Sequence, residues 1–232
     1  MTASGTLDLE YTASRAGREL EGATASEILR WAADTFGDGF AVTSSMQDAV
    51  LVALAAEVKP GVDVLFLDTG YHFAETLGTR DAIAATYDVN LITLTPQLTV
   101  PEQDARYGAK LHDRDPDACC GMRKVEPLNR ALQHYSAWAT GLRRVDAPSR
   151  AETPVVSYDP RRGKVKIAPL AGWTDSDIDS YVAEHGILTN PLQSVGYPSI
   201  GCVPCTRAVA AGDDPRAGRW AGSTKTECGI NL

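Results

Sequence analysis

No apolar run in the 232-residue chain approaches the ~20 residues that a membrane-spanning helix needs. Its first residues, MTASGTLDLEY, have no basic stretch followed by an apolar one, so no signal region is read there and a cytoplasmic protein is expected. Positive charge is not in excess: 22 Lys and Arg stand against 30 Asp and Glu, a formal charge of −8. That balance argues against nonspecific nucleic-acid binding and leaves room for an anionic small substrate where cations gather locally. Neither nucleic acid nor membrane is an expected partner. The sequence also lacks repeats, low-complexity tracts and long linkers, and it lacks the G-x-x-x-x-G-K-[ST] phosphate loop.

Cysteine is sparse, with five residues, and in a reducing compartment these are not expected to form a disulfide framework. Metal ligation or catalysis is the better reading, and an odd count suggests four of one kind plus one. Cys119 and Cys120 are adjacent in DPDACCGMRKVEPL, with Arg123 and Lys124 one helical turn on. Neighbouring Cα atoms at ~3.8 Å are too close for an ordinary disulfide, which wants roughly 5.5–6 Å. Cys202 and Cys205 form a Cys-x-x-Cys in GCVPCT. Half of a structural zinc site has about even odds for such a pair alone. Four thiolates suit an iron–sulfur cluster as well as zinc, and because each thiolate of a cubane takes a different iron, adjacent residues can both reach it. A redox-active pair is a third option, without the strand-to-helix setting it usually has. Buried core thiols are the bland alternative for Cys119 and Cys120, and the nearby cations argue against it. Cys228 lies near the C-terminus in KTECGINL, after Arg216, Arg219 and Lys225. It is either an inert thiol or, the favoured reading, a nucleophile carried into a site by a closing tail.

Periodicity gives a helix in TASEILRWAADTFG, with Ile28, Leu29, Trp31 and Ala32 apolar and Gly37 as its stop. Short buried strands follow at 40–44, 62–68, 89–94 and 137–140, the first three separated by helices. A further helix is expected at 173–186, capped by Thr-x-x-Asp. This alternation predicts an α/β fold with a mainly parallel sheet flanked by helices. Ligands bind such sheets beyond the carboxyl ends of the strands, which brings Ser44–Asp48, Asp68–His72 and ATGLRR towards one site. Three parts are expected: a weakly ordered segment at 1–22, an α/β body at 23–210 and a mobile tail at 211–232.

TSSMQDAV, between a strand and a helix, is placed where backbone N–H groups hold anions, though Ser-rich turns are also common caps. Arg143, Arg144 and Arg150 form either a solvated face or a grip on phosphate or sulfate. His72 and His112 read as satisfied loop histidines rather than acids or bases, and His134 and His185 as structural residues on helices.

The segments SSMQDAVL, LDTGYHFAETL, CCGMRKVEPL, TGLRR, NPLQSVGYPSIGCVPCTR, GRW and KTECG, taken in order over roughly residues 40–229, resemble bacterial assimilatory adenosine 5′-phosphosulfate (APS) reductases of the PAPS/APS reductase family. The resemblance implies an ATP-pyrophosphatase-like fold and one 4Fe–4S cluster on Cys119, Cys120, Cys202 and Cys205. It makes Cys228 the nucleophile and puts Lys124 between cluster and substrate. Ser44, Ser45, Gln47, Asp68, Arg143, Arg144, Arg216 and Arg219 would hold the nucleotide and its sulfate. The implied reaction is reduction of APS to sulfite and AMP in sulfate assimilation, towards cysteine biosynthesis. It would use thioredoxin or a similar dithiol donor and pass through a thiosulfonate on Cys228. PAPS reduction and a non-catalytic iron–sulfur sensor are the alternatives, and a homo-oligomer is left open. An ATP-using adenylating enzyme is disfavoured because TSSMQDA lacks the glycines of a Ser-Gly-Gly-x-Asp-Ser loop. Two departures stand out: Asn231 replaces the family's usual His, and Asp146-Ala147 replaces a Gln or Glu and a Ser, which predicts missing polar contacts.

Overall fold

The computed structural model describes residues 7–222 and 225–230. A six-stranded sheet forms the frame: β1 (Phe40–Ser44), β2 (Val62–Leu67), β3 (Val89–Leu94), β4 (Ala137–Ala139), β5 (Val156–Asp159) and β6 (Lys164–Ile167), in the spatial order β3-β2-β1-β4-β6-β5. All neighbours are parallel except β5, which runs antiparallel on β6 at the edge. The order turns back at β1, so a crevice opens between the carboxyl ends of β1 and β4. Thr43 Oγ1 donates to Ala139 O across that junction at 2.9 Å.

One face of the sheet carries the larger core. Helices α1 (Leu9–Glu19), α2 (Ala25–Phe36), α3 (Val50–Val58) and α4 (Ala74–Thr86) contribute Ala13, Ile28, Leu29, Val50 and Ile83 to it, against Phe40, Val42, Val64 and Phe66. Every residue of α3 from Val50 to Ala55 is buried, so the first six residues of this helix have no solvent face, and exposure begins only in its last turn at Glu57. α2 starts with a capping box in which Thr24 and Glu27 satisfy each other's backbone N–H groups. The other face carries a smaller core of Ala41, Leu65, Leu128, Leu132, Tyr135 and Trp138. It is covered by α8 (Glu126–Ala131), which follows α5 (Val100–Tyr107), α6 (Leu111–Arg114) and α7 (Pro116–Cys120). Ile230 of the C-terminal segment packs against this second core. α9 (Asp175–His185) begins with the expected Thr174–Asp177 capping box.

Two local expectations differ from the structure. Residues 9–19 form a helix rather than a loosely packed segment; Gly17 lets it lie directly on β5, where a Cβ would stand 2.6 Å from Val156 O. The β5–β6 hairpin has no counterpart in the sequence reading, although VVSYDPRRGKVKI carries two β-rich runs around a Pro- and Gly-containing turn.

Candidate functional site

Asp115 caps α7 through Ala118 N–H at 2.9 Å, with Pro116 at the first helical position. The helix carries Cys119 and Cys120 and then widens into a π turn, Gly121–Val125, where Glu126 N–H reaches Gly121 O. Such turns re-aim side chains and recur at functional sites. Each thiol here has a cation four residues on, Arg123 and Lys124 respectively. Arg123 is buried; its guanidinium donates to Thr69 O, Leu98 O and Gln103 Oε1 and stacks on Tyr71.

The second pair of thiols reaches the first through loop stitching. Gln47 Oε1 accepts Ile200 N–H at 3.1 Å, Asn190 N–H donates to Gln47 O, and Asn190 Nδ2 donates to Met46 O. Val203 N–H then donates to Tyr71 O at 2.7 Å. The strand-like segment after Cys205 pairs back on residues 218–220: Arg207 N–H meets Gly218 O and Trp220 N–H meets Cys205 O. Only glycine fits at 218, because a Cβ there would lie 2.0 Å from Arg207 O. This pairing delivers Arg219, whose guanidinium stacks on Trp220 at 4.6 Å and donates to Ser199 Oγ and Ile200 O.

The outcome is one cavity lined by Cys119, Cys120, Cys202 and Cys205 together with Lys124 and Trp220. Thr69 Oγ1 stands 3.3 Å from Cys202 Sγ. Burial and the neighbouring Cys202 and Cys205 push the Cys119 thiol up to about 11. Burial also raises Cys205. Burial opposes the Lys124 charge, but Cys202, Cys228 and Cys120 outweigh it and hold the ammonium above its ordinary range. Among the described residues no three Cys, His, Asp or Glu side chains converge on a metal ion. The chemistry of the donor set nevertheless fits a soft centre: four thiols on one cavity wall, with a cation beside them to offset thiolate charge.

Cys228 comes to the same place from the far end of the chain and is buried. A hydrogen bond from Cys120 draws its thiol down to about 5; burial opposes this, while Lys124, the Ile230 N–H and Arg219 assist. The same bond and burial raise Cys120. Glu227, also buried, accepts from Arg150 Nε at 2.7 Å and Nη2 at 2.9 Å, and from Cys228 N–H at 2.8 Å.

The remaining candidates divide. Ser44 Oγ accepts Met46 N–H at 3.2 Å, and Ser45 is exposed at the mouth of the crevice after β1. Asp68 Oδ1 accepts Gly70 N–H and faces Arg80 at 3.9 Å. Arg143 pairs with Asp146 and Asp175, and its Nη1 is buried without a partner among the described residues. Arg216 lies 3.6 Å from Glu227 Oε1. Arg144 is drawn off to Glu21 and Thr153 O, where it ties the end of α1 to the loop after β4. Asp146 corrects the expectation of missing contacts, since its carboxylate joins Arg143 at 2.7 Å to Arg150 at 2.9 Å. Asn231 lies outside the described residues. His112 lines the cysteine cavity, while His72 Nε2 lies 2.8 Å from Leu67 O, with burial lowering its basicity. The sequence reading did not single out Thr69, Asp146 as a bridge, or Glu227; Glu227 was visible as the acidic neighbour of the terminal Cys, without any sign of its partner.

Fold and site together define a nucleotide-handling α/β protein with a thiol-rich centre. Residues 39–208 match the phosphoadenosine phosphosulfate reductase domain, and the chain belongs to that family of oxidoreductases. It is 66% identical to the adenosine 5′-phosphosulfate reductase of Streptomyces coelicolor, over 97% of this chain and 96% of that protein. It is 56% identical to the one from Mycolicibacterium smegmatis, over 100% and 98%. A crystal structure of phosphoadenylyl-sulfate reductase from Candida auris, a phosphate complex, superposes with a TM-score of 0.75 at 28% identity, covering 88% of this chain and all (100%) of that one. Candida glabrata FMN adenylyltransferase shares the fold at 14% identity and a TM-score of 0.59, covering 90% of this chain and 69% of its own.

Proposed function

We propose that this protein reduces APS to sulfite and AMP in sulfate assimilation, with Cys228 as nucleophile and thioredoxin or a similar dithiol as donor. The observation that carries the reading is the burial of Cys228 among Cys120, Lys124 and Arg219, far from its place in the sequence. Relatives named for APS reduction, identical at 66% and 56% of positions, favour APS over PAPS.

In the first step Cys228 thiolate attacks the sulfate sulfur. An S–S bond forms, the S–O bond to the phosphate breaks, and AMP departs with the electron pair, leaving Cys228–S–SO3⁻. Two anions must approach here, so cations at the meeting point lower the barrier by offsetting their repulsion and the charge building on the leaving phosphate. Lys124 and Arg219 face Cys228, and Arg216 stands by Glu227. Ser44 ends β1, Ser45 and Gln47 follow it, and Asp68 and Arg143 come after β2 and β4; from these strand ends they would hold the nucleotide. In the second step a donor thiolate attacks Cys228 Sγ and releases sulfite; the donor's second thiol resolves the mixed disulfide, so two electrons come from the dithiol.

Cys119, Cys120, Cys202 and Cys205 would hold one 4Fe–4S cluster. When bound, it supplies a fixed charge distribution beside Lys124. Reduction of the substrate needs only the thiols named above.

The test is the intact mass of anaerobically purified protein after incubation with APS, or in parallel PAPS, without thiol reductant. One added SO3 on the C-terminal peptide, absent in Cys228→Ser, supports the reading. Addition with PAPS alone changes the substrate and keeps the chemistry. No adduct from either, in protein with its iron intact, overturns the proposed reductase.

A further inference from the structure

A chain of opposite charges runs across the site: Asp175, Arg143, Asp146, Arg150, Glu227, Arg216. The link between Arg150 and Glu227 differs from the others. Arg150 and Glu227 form a two-point, charge-assisted pair at 2.7 and 2.9 Å, and their side chains are only 11% and 8% exposed. Arg150 ends a short turn, Pro148–Arg150, after β4, and its other hydrogen bond goes to Asp146. The body of the fold therefore sets its position. Glu227 belongs to the C-terminal segment, and one of its oxygens also accepts Cys228 N–H at 2.8 Å. A single carboxylate thus links the fixed arginine to the backbone of the residue that carries the buried thiol.

We propose that Glu227 is a positioning residue: its pair with Arg150 latches the C-terminal segment shut and sets the backbone of Cys228 so that the sulfur faces Lys124 and Arg219. Other fasteners lie on either side, among them the Lys225–Asp117 ion pair and the packing of Ile230 on the second core. The Cys228 N–H itself goes to Glu227. The Cys228 sulfur, 7% exposed as a residue, is in place only while the segment is closed, so the rate of any reaction at that sulfur scales with the closed fraction. The latch is independent of which substrate the site takes; only the kinetic arm of its test rests on the proposed reaction.

The experiment uses cluster-loaded, anaerobically purified protein, comparing the parent with Glu227→Gln, Arg150→Gln and the double variant. Opening is read by native-state trypsin cleavage after Lys225, whose side chain is 5% exposed, as early release of the peptide TECGINL by mass. Cleavage at such a site tracks the open population. Each single variant should release the peptide about tenfold faster or more. The double variant should exceed the faster single by no more than about twofold, because both changes break one pair. Iron content and circular dichroism matching the parent exclude misfolding, and Arg150→Gln tests the latch from the body side if Glu227→Gln folds poorly. In the kinetic arm, SO3 transfer to Cys228 at saturating APS should fall with the closed fraction, with little change in the concentration giving half the maximal rate.

Release within about twofold of the parent in both single variants overturns the latch. Multiplying effects in the double variant overturn the pairing. Faster release with an unchanged saturating transfer rate overturns the positioning role. A parent that forms no adduct with APS or PAPS defeats the proposed reaction instead, and the proteolysis arm still decides the latch.

Discussion

Replacing Lys124 by alanine isolates the electrostatic part of the proposed reaction. The ammonium stands among Cys120, Cys202 and Cys228, which hold it charged despite its burial, and the residue lines the cysteine cavity. A unit charge ~4 Å from another is worth about 4 kcal/mol at an effective dielectric of about 20. Loss of a single group aimed at transition-state charge typically costs about 2.7–4 kcal/mol, or roughly 100- to 1,000-fold in rate. Lys124→Ala should therefore slow the first transfer to Cys228 by about that factor under single-turnover conditions. Lys124→Arg, which keeps the charge with a different shape, should recover part of the loss. Iron content should match the parent, since Lys124 is not one of the four proposed ligands. The assay is rapid quenching followed by intact mass, with iron measured on the same samples. A Lys124→Ala rate within about threefold of the parent, with iron unchanged, would show that its charge does not act on the transferring group.

Cys228→Ser should abolish the SO3 adduct while leaving iron and thermal stability unchanged; an adduct on any other residue would displace Cys228 from its role. Gly218→Ala should lower stability by about 1–3 kcal/mol, measured by denaturant unfolding, because its Cβ would sit 2.0 Å from Arg207 O; an unchanged midpoint would refute the close-approach argument. Burial opposes ionisation of Glu227, but Arg150, the Cys228 N–H and Arg216 outweigh it and hold the carboxyl at about 2. A lowered folded-state value stabilises above the ordinary value near 4.5, and the benefit is lost as pH falls through about 2. The full contribution is about 3 kcal/mol, so the stability gap between the parent and Glu227→Gln should narrow by about half between pH 5 and pH 3. A gap independent of pH over that range would contradict the linkage.

The first half of the fold is legible because its elements are governed by local rules. β1, β2 and β3 are short, mostly apolar runs, and α2 and α9 carry capping boxes that mark their starts. β5 and β6 were harder to read, since their inward residues alternate with Ser157, Lys164 and Lys166, which look like surface. α1 escaped notice because its buried positions are small, Ala13 and Ala16, with Gly17 at the contact. Adjacency and spacing marked the five cysteines as chemical residues, and the structure gathers four of them on one cavity wall. The arginines were not separable from sequence. Arg143, Arg144 and Arg150 lie within eight residues in TGLRRVDAPSR, yet Arg144 serves the N-terminal helix and Arg150 the C-terminal segment. Partner choice of that kind is decided by tertiary placement, which a single sequence does not contain.

The closed arrangement suits one half of the proposed reaction and opposes the other. Transfer to Cys228 gains from a buried sulfur among cations, where water is excluded and each charge acts at higher strength. Release of sulfite requires a donor protein's thiolate to approach that sulfur in line, and a residue 7% exposed offers no such path. The conflict is resolved if the nucleophile sits on a segment that can leave as a unit. Among the described residues the fastenings fit that demand: Glu227 pairs with Arg150 and Arg216, Lys225 pairs with Asp117, Arg216 donates to Thr226 O, and Ile230 packs on the second core. Each holds the segment without embedding it in the sheet. A nucleophile placed on a strand end would have served the first step equally well and left the second without access.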